Sequence, residues 1–258
     1  MAIQASWALH AGAVAAVLFR PHWWPGALGA IVADHLFLTA AGLWPRSRLL
    51  GPNWTRLPSA AAERGEIAIT IDDGPDPLVT PQVLQLLEQH SARATFFCVG
   101  ALVARHRQLA REIVQRGHTI ENHSQHHLHH FSVLGPRAMG AEVERAQQTI
   151  AEVSGTLPRF FRAPAGLRSP FLDPILTRLD LQLASWTRRG FDTVNGNPQS
   201  VYGRLVRGLK SGDILLLHDG HPAHTSGGAP VILEVLPRLL ASIGGAGLTP
   251  VTLRSALP

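Results

Sequence analysis

The sequence predicts an α/β domain on a parallel sheet, preceded by a separate apolar helical segment. Three observations carry this. From Glu66 onward, short apolar runs of strand character alternate with longer stretches of helical period, the pattern of successive βα units. Proline and glycine mark the joints: Pro81 and Pro230 stand at first-turn positions, and Gly117 and Gly212 follow helix ends. Residues 1–45, by contrast, are apolar and almost free of charge. The expected units are a membrane-associated helical hairpin at 1–45, a linker at 46–65 and the α/β domain at 66–258, with no internal repeat.

In the first unit, Ala5–Phe19 is apolar except for Ser6 and His10. Trp23 and Trp24 open a second run, Gly26–Leu43, which closes at Trp44-Pro45-Arg46. Tryptophans at both ends resemble the interfacial belts of membrane spans, and the second run is about long enough to cross a bilayer. Asp34 and His35 would then lie near mid-membrane, where ionisable groups need partners, and His10 is the available one. An amphipathic helical cap is the alternative. No basic residue precedes the first run, so a secretory signal fits poorly. Arg20 alone occupies the connecting loop, whereas Arg46, Arg48, Arg56 and Arg64 follow the second run. The positive-inside tendency therefore places the main domain on the cytoplasmic face of a bacterial inner membrane, with the periplasmic face as the other orientation.

In the α/β unit, strands are expected at Ile67–Asp72, Ala94–Val99, Thr119–His123, Phe160–Ala163, Leu183–Thr187, Asp213–His218 and Pro250–Leu253. Helices are expected at Pro81–His90, Leu102–Arg116, Arg137–Val153, Pro170–Leu179, Val201–Lys210 and Pro230–Ser242. The net charge of +5 comes from scattered arginines without aromatic interleaving, which argues against a nucleic-acid surface. The single cysteine, Cys98, excludes disulfides and cysteine clusters, and its apolar neighbours make it a buried thiol.

Reactive residues of such sheets gather at the C-terminal strand ends. The first strand stops at Asp72-Asp73-Gly74-Pro75, which by itself also reads as a turn capping the next helix. The third ends in Glu121-Asn-His-Ser-Gln-His-His127. A helical turn there would bring His123 and His127 to one face, and two imidazoles plus a carboxylate make a catalytic metal site with an open position. Solvated histidines are the alternative. After the fourth strand, Arg162 can hold a carboxylate in place, and the turn Pro164-Ala165-Gly166 can leave a backbone N–H for an oxyanion. The sixth strand ends at His218, a candidate proton donor with Asp192 to orient it.

Together, Asp72-Asp73-Gly74-Pro75, His123-Ser124-x-x-His127, Arg162-x-Pro164-x-Gly166, Asp192 and Leu216-x-His218 resemble the polysaccharide deacetylase (NodB-type) family, carbohydrate esterase family four. The likeness spans roughly residues 66 to 253. It implies a distorted (β/α) barrel and metal-dependent hydrolysis of N-acyl groups on amino sugars. By position, it implies Asp72 as general base and Asp73, His123 and His127 as ligands of a divalent metal, most plausibly zinc. It further implies Arg162 as the residue positioning the base, the Ala165 N–H as oxyanion donor, and His218, tuned by Asp192, as general acid.

Ile71, Ala165 and Thr193 depart from the commoner phenylalanine, tyrosine and tryptophan of the family. Arg188 and Arg189 stand where relatives often carry small or acidic residues, which would suit an anionic substrate such as a lipid-linked phosphosugar. The expected partner is a cell-envelope glycan or lipid-linked sugar. A deformylase or deacylase of an undecaprenyl-phosphate-linked sugar is the second reading. An inactive glycan-binding module is the third, but no ligand, base or acid is missing.

Overall fold

The computed structural model describes residues 2–257; Met1 and Pro258, the outer ends of the first and last expected units, lie outside the described residues. Eight parallel strands form one sheet: β1 Glu66–Asp72, β2 Thr95–Cys98, β3 Thr119–Asn122, β4 Phe160–Phe161, β5 Gln182–Leu183, β6 Arg188–Arg189, β7 Ile214–His218 and β8 Thr249–Val251. Their order is β5-β4-β3-β2-β1-β7-β6, with β8 also pairing β1. Around them lie α3 Ser59–Glu63, α4 Thr80–Gln89, α5 Gly100–Arg105, α6 Arg107–Gln115, α7 Pro136–Ser154, α8 Leu172–Arg178, α9 Pro198–Val206 and α10 Val231–Gly245. The N-terminal helices α1 Ala2–Phe19 and α2 Trp24–Leu43 precede them.

Strand β1 is central because both of its faces are buried. Ile67, Ile69 and Ile71 pack outward with Val83, Leu84, Leu215 and Leu236 under the helical layer. The alternate residues Ala68, Thr70 and Asp72 point the other way, as a two-residue period requires; Ala68 packs there with Phe97, Phe160 and Ile214. That inner row becomes polar toward the strand's C-terminal end, and the site lies there.

The sheet is a half-barrel. The expected strand Leu183–Thr187 is in fact shared between two edges: β5 pairs with β4, and after Ala184–Thr187 crosses over, β6 pairs with β7. Residues 54–57 fill the gap between them. Trp54 N–H donates to Leu183 O at 2.8 Å, Ser185 N–H to Trp54 O at 2.9 Å, and Leu57 N–H to Gly212 O at 2.8 Å. The stretch between hairpin and domain therefore serves as a seam of the sheet. The expected helix Leu102–Arg116 is likewise two helices, broken at His106 (φ −113°, ψ 50°).

The helices α1 and α2 form a hairpin joined at Pro21–Trp23, and both are long and apolar enough to cross a membrane. They are apolar all round, with Trp7, Val14, Leu18, Val32, Leu36 and Phe37 exposed. The polar residues of the two helices meet: Ser6 Oγ donates to Asp34 Oδ2 at 2.6 Å, and His10 Nε2 lies 3.1 Å from His35 Nε2. The hairpin's end is tied to the α/β domain beside the turn 164–166. Arg168 N–H donates to Gly42 O at 3.1 Å and Ser185 Oγ to Pro45 O at 2.6 Å.

Candidate active site

Every strand end picked out in the sequence, β1, β3, β4 and β7, opens on one cavity of about 590 Å³, lined by Asp72, Asp73, His123, His127, Ala165, Gly166 and His218. The backbone is unusual here. Asp73, His127, Ala165 and His221 all have positive φ, a conformation that costs a non-glycine residue about 1–3 kcal/mol and persists only where the surroundings impose it. Glycine matters at two neighbouring positions. A Cβ on Gly220 would collide with the Asp73 backbone, and one on Gly74 with the Asp219 carboxylate, so the loops after β1 and β7 nest only because both are glycines.

The adjacent aspartates have separate partners. Asp72 Oδ1 accepts from Arg162 Nη1 at 2.6 Å. Arg162 is wholly buried, and each of its nitrogens is engaged: Nη1 also donates to Thr70 Oγ1, Nε to Ala184 O and Nη2 to Ser185 O, with the guanidinium carbon 4.1 Å from the Phe97 ring centre. That arrangement fixes one oxygen of Asp72 and leaves Oδ2 facing the cavity side, 3.9 Å from His123 Nε2.

Asp73 turns to the histidines. Its Oδ1 lies 3.1 Å from His123 Nε2 and 3.2 Å from His127 Nε2, is buried, and accepts no well-aligned hydrogen bond. His123 Nδ1 donates to Arg162 O at 2.8 Å, which leaves the lone pair on Nε2. Burial, reinforced by the neighbouring His123, pushes His127 down to about 4, so that ring is neutral at physiological pH. Two nitrogen lone pairs and a carboxylate oxygen thus converge on one point, an arrangement that repels itself unless a cation lies between them. A tetrahedral zinc ion with ligands at about 2.0–2.1 Å separates them by about 3.3 Å, close to the spacing here, so the residues fit the group. The 123–127 segment reaches this geometry by an irregular bend, with Ser124 at φ 64° and His127 at φ 50°, rather than by the expected helical turn.

His218 stands across the cavity. Its Nδ1 donates to Asp192 Oδ1 at 2.9 Å, and its backbone N–H donates to Asp192 Oδ2 at 2.7 Å. Burial disfavours the imidazolium, yet the hydrogen bond and charge of Asp192, aided by Asp72 and Asp73, raise it to about 9. The Ala165 N–H donates to no group among the described residues, while Pro164 O and Ala163 O are used by the turn itself. Sequence reasoning missed three contributors. Thr70 braces Arg162, Trp186 lines the cavity against Gly166, and Asp219, fully buried below the β1 loop, accepts from Thr80 Oγ1 and is pushed up by burial to about 7. Thr70 was findable, since it lies two residues before Asp72 and so shares its face.

The sequence model described as Polysaccharide deacetylase matches residues 59–184. A peptidoglycan-N-acetylglucosamine deacetylase from Bacillus cereus is 35% identical over 181 residues, 67% of this chain and 81% of the relative. The chain belongs to the polysaccharide deacetylase family. It is thus a hydrolase of that family, as the motifs led us to expect. A chitooligosaccharide deacetylase from a Bradyrhizobium species is 33% identical over 157 residues, 60% of this chain and 71% of that one. Among solved structures, a family 4 carbohydrate esterase from Streptomyces lividans, in complex with acetate, is 31% identical. It superposes with a TM-score of 0.65 over 72% of this chain and 91% of its own. A family pseudoenzyme from Bacillus anthracis, 21% identical with a TM-score of 0.71 over 82% of this chain and 71% of its own, shares the fold. Asp192 and His218 lie beyond the stretch matched by the family model.

Proposed function

We propose that the protein hydrolyses the N-acetyl group of an N-acetylated amino sugar, of the peptidoglycan or chitooligosaccharide kind named for its relatives, with a divalent metal held by Asp73, His123 and His127. The observation that carries this is the opposition of two braced groups across that trio, Asp72 held by Arg162 on one side and His218 held by Asp192 on the other. Zinc is the ion that best suits a two-imidazole, one-carboxylate donor set, and when bound it would lower the pKa of a water and polarise the acyl carbonyl. Asp72 Oδ2 takes a proton from the attacking water, while Arg162 holds the carboxylate in orientation through Oδ1. The Ala165 N–H donates to the carbonyl oxygen as negative charge gathers on it. His218, protonated at neutral pH, gives its Nε2 proton to the departing nitrogen as the C–N bond breaks. The products are a carboxylate and a free amino sugar.

Within the same proposal the chain divides into a hairpin anchor at residues 1–45, a linker at 46–65 and the catalytic domain at 66–258. Arg46, Arg48, Arg56 and Arg64 after the second helix favour the cytoplasmic face of a bacterial inner membrane over the periplasmic face, and a reporter fused at the C-terminus tests the side. The second reading, deformylation or deacylation of an undecaprenyl-phosphate-linked sugar, draws support from one observation: the end of the hairpin is hydrogen-bonded beside the turn that carries Ala165. Incubating detergent-solubilised protein with peptidoglycan, chitooligosaccharide and lipid-linked sugars, and measuring acetate and formate, separates the readings. Acetate from the first two substrates supports deacetylation. Formate, or turnover of the lipid-linked sugar alone, supports the second reading, and release of neither acid from any substrate refutes both.

A further inference from the structure

Two adjacent arginines leave β6 in opposite directions and meet opposite fates. Arg188 is spent on the fold: its Nε donates to Asp213 Oδ2 at 2.6 Å, and its other nitrogens donate to Arg207 O and Gly208 O. Arg189 points into the active-site cavity. Its guanidinium carbon sits 5.1 Å from the Trp186 ring centre and 4.4 Å from that of Phe191. It makes no hydrogen bond or ion pair among the described residues, and its buried Nε has no partner.

The nearby carboxylates do not pair with it: Asp72 is bonded through Oδ1 to Arg162, Asp73 faces the two histidines and Asp192 is bonded to His218, so Asp192 and Asp72 act on Arg189 only through their charge. Aromatic faces orient a guanidinium and stabilise it modestly, but they do not neutralise it or fill its donor fork. A partly desolvated cation with a free planar fork, flanked by two aromatic rings in the active cavity, is matched to an anionic oxygen pair supplied from outside.

We propose that Arg189 is an anion subsite of the active cavity, so that the amino sugar acted on carries a phosphate or carboxylate close to its N-acyl group. The inference rests on the deacetylase reading of the cavity and narrows its substrate. Both anion types offer the oxygens that a guanidinium fork receives, and the probes distinguish them.

The test is equilibrium binding to the full-length protein in detergent after chelator treatment, so that neither turnover nor a metal–phosphate contact contributes. The probes are N-acetylglucosamine 1-phosphate, N-acetylmuramic acid as the carboxylate, and methyl N-acetylglucosaminide as the neutral control. The wild type is expected to bind at least one anionic probe about tenfold or more tightly than the neutral one, with the gap shrinking as salt rises. Whichever anion shows the gap identifies the group. Arg189→Gln should abolish the gap and Arg189→Lys should keep part of it. Equal wild-type affinity for all three probes overturns the proposal and needs no variant; so does a gap that survives in Arg189→Gln. Acetate release from the same probes, measured on zinc-loaded protein, is a separate readout. A binding gap without acetate release from any acetylated glycan would sink the deacetylase reading while leaving the anion site standing.

Discussion

Among the described residues, two clusters contain two histidines and an aspartate with ligand atoms within 4.8 Å of one another: Asp73, His123 and His127 at the sheet, and His10, Asp34 and His35 in the hairpin. Composition and proximity are alike, but their hydrogen bonding is not. In the hairpin the groups satisfy one another: Ser6 donates to Asp34, His10 Nδ1 donates to its own helix at Ser6 O, and His10 Nε2 meets His35 Nε2. At the sheet, Arg162 O occupies the far side of His123, and Asp73 Oδ1, without an aligned donor, faces the Nε2 atoms of both histidines. A donor set becomes a metal site when its surroundings prevent it from satisfying itself. The first cluster pairs the polar groups of two apolar helices, as a membrane span would require, and the second is left open to a cation.

The largest expected effects test that contrast directly. Asp73→Ala or His127→Ala should abolish both zinc binding and acetate release, while His35→Ala should leave both in place; loss of zinc from His35→Ala would move the metal to the hairpin. Asp72→Asn should retain zinc, measured by metal analysis, and lose about 10²–10⁴-fold in turnover. A near-normal rate would remove Asp72 from its role as base. Asp192→Asn should cost less, about 10–10²-fold, because His218 stays but loses its orienter.

A smaller effect comes from a histidine that belongs to neither cluster. His118 Nδ1 accepts from Ala94 N–H at 3.2 Å, so its proton sits on Nε2, and burial, then Arg93 and Arg116, push it down to about 4. Its neutral form favours the fold. That contribution is complete above the ordinary value of about 6.5 and is lost as pH falls from there toward 4. Between pH 7.5 and 5, urea unfolding should show about 2 kcal/mol of acid destabilisation that His118→Gln lacks. Smallest of all, Ser6→Ala should lower stability in detergent by about 0.6–1.7 kcal/mol without changing turnover.

Much of the α/β pattern was legible because buried parallel strands and amphipathic helices write their periods locally. The division of Leu183–Thr187 was not, since its two halves choose partners through residues 54–57, far off in sequence. Nor was the break at His106, which carries neither proline nor glycine. At the site, strand-end position exposed Asp72, Asp73, Arg162 and His218, because topology alone brings such ends together. The left-handed backbone at His127 and Ala165, and the difference between Arg188 and Arg189, depend on packing that no local signal records.

The most direct test of the account is zinc titration of the chelated full-length protein, followed on the same samples by acetate release from an N-acetylated glycan. The account predicts one tightly bound zinc per chain, activity rising with occupancy, and loss of both in His127→Ala. Acetate release that persists at full rate after chelation, or in His127→Ala, would contradict it.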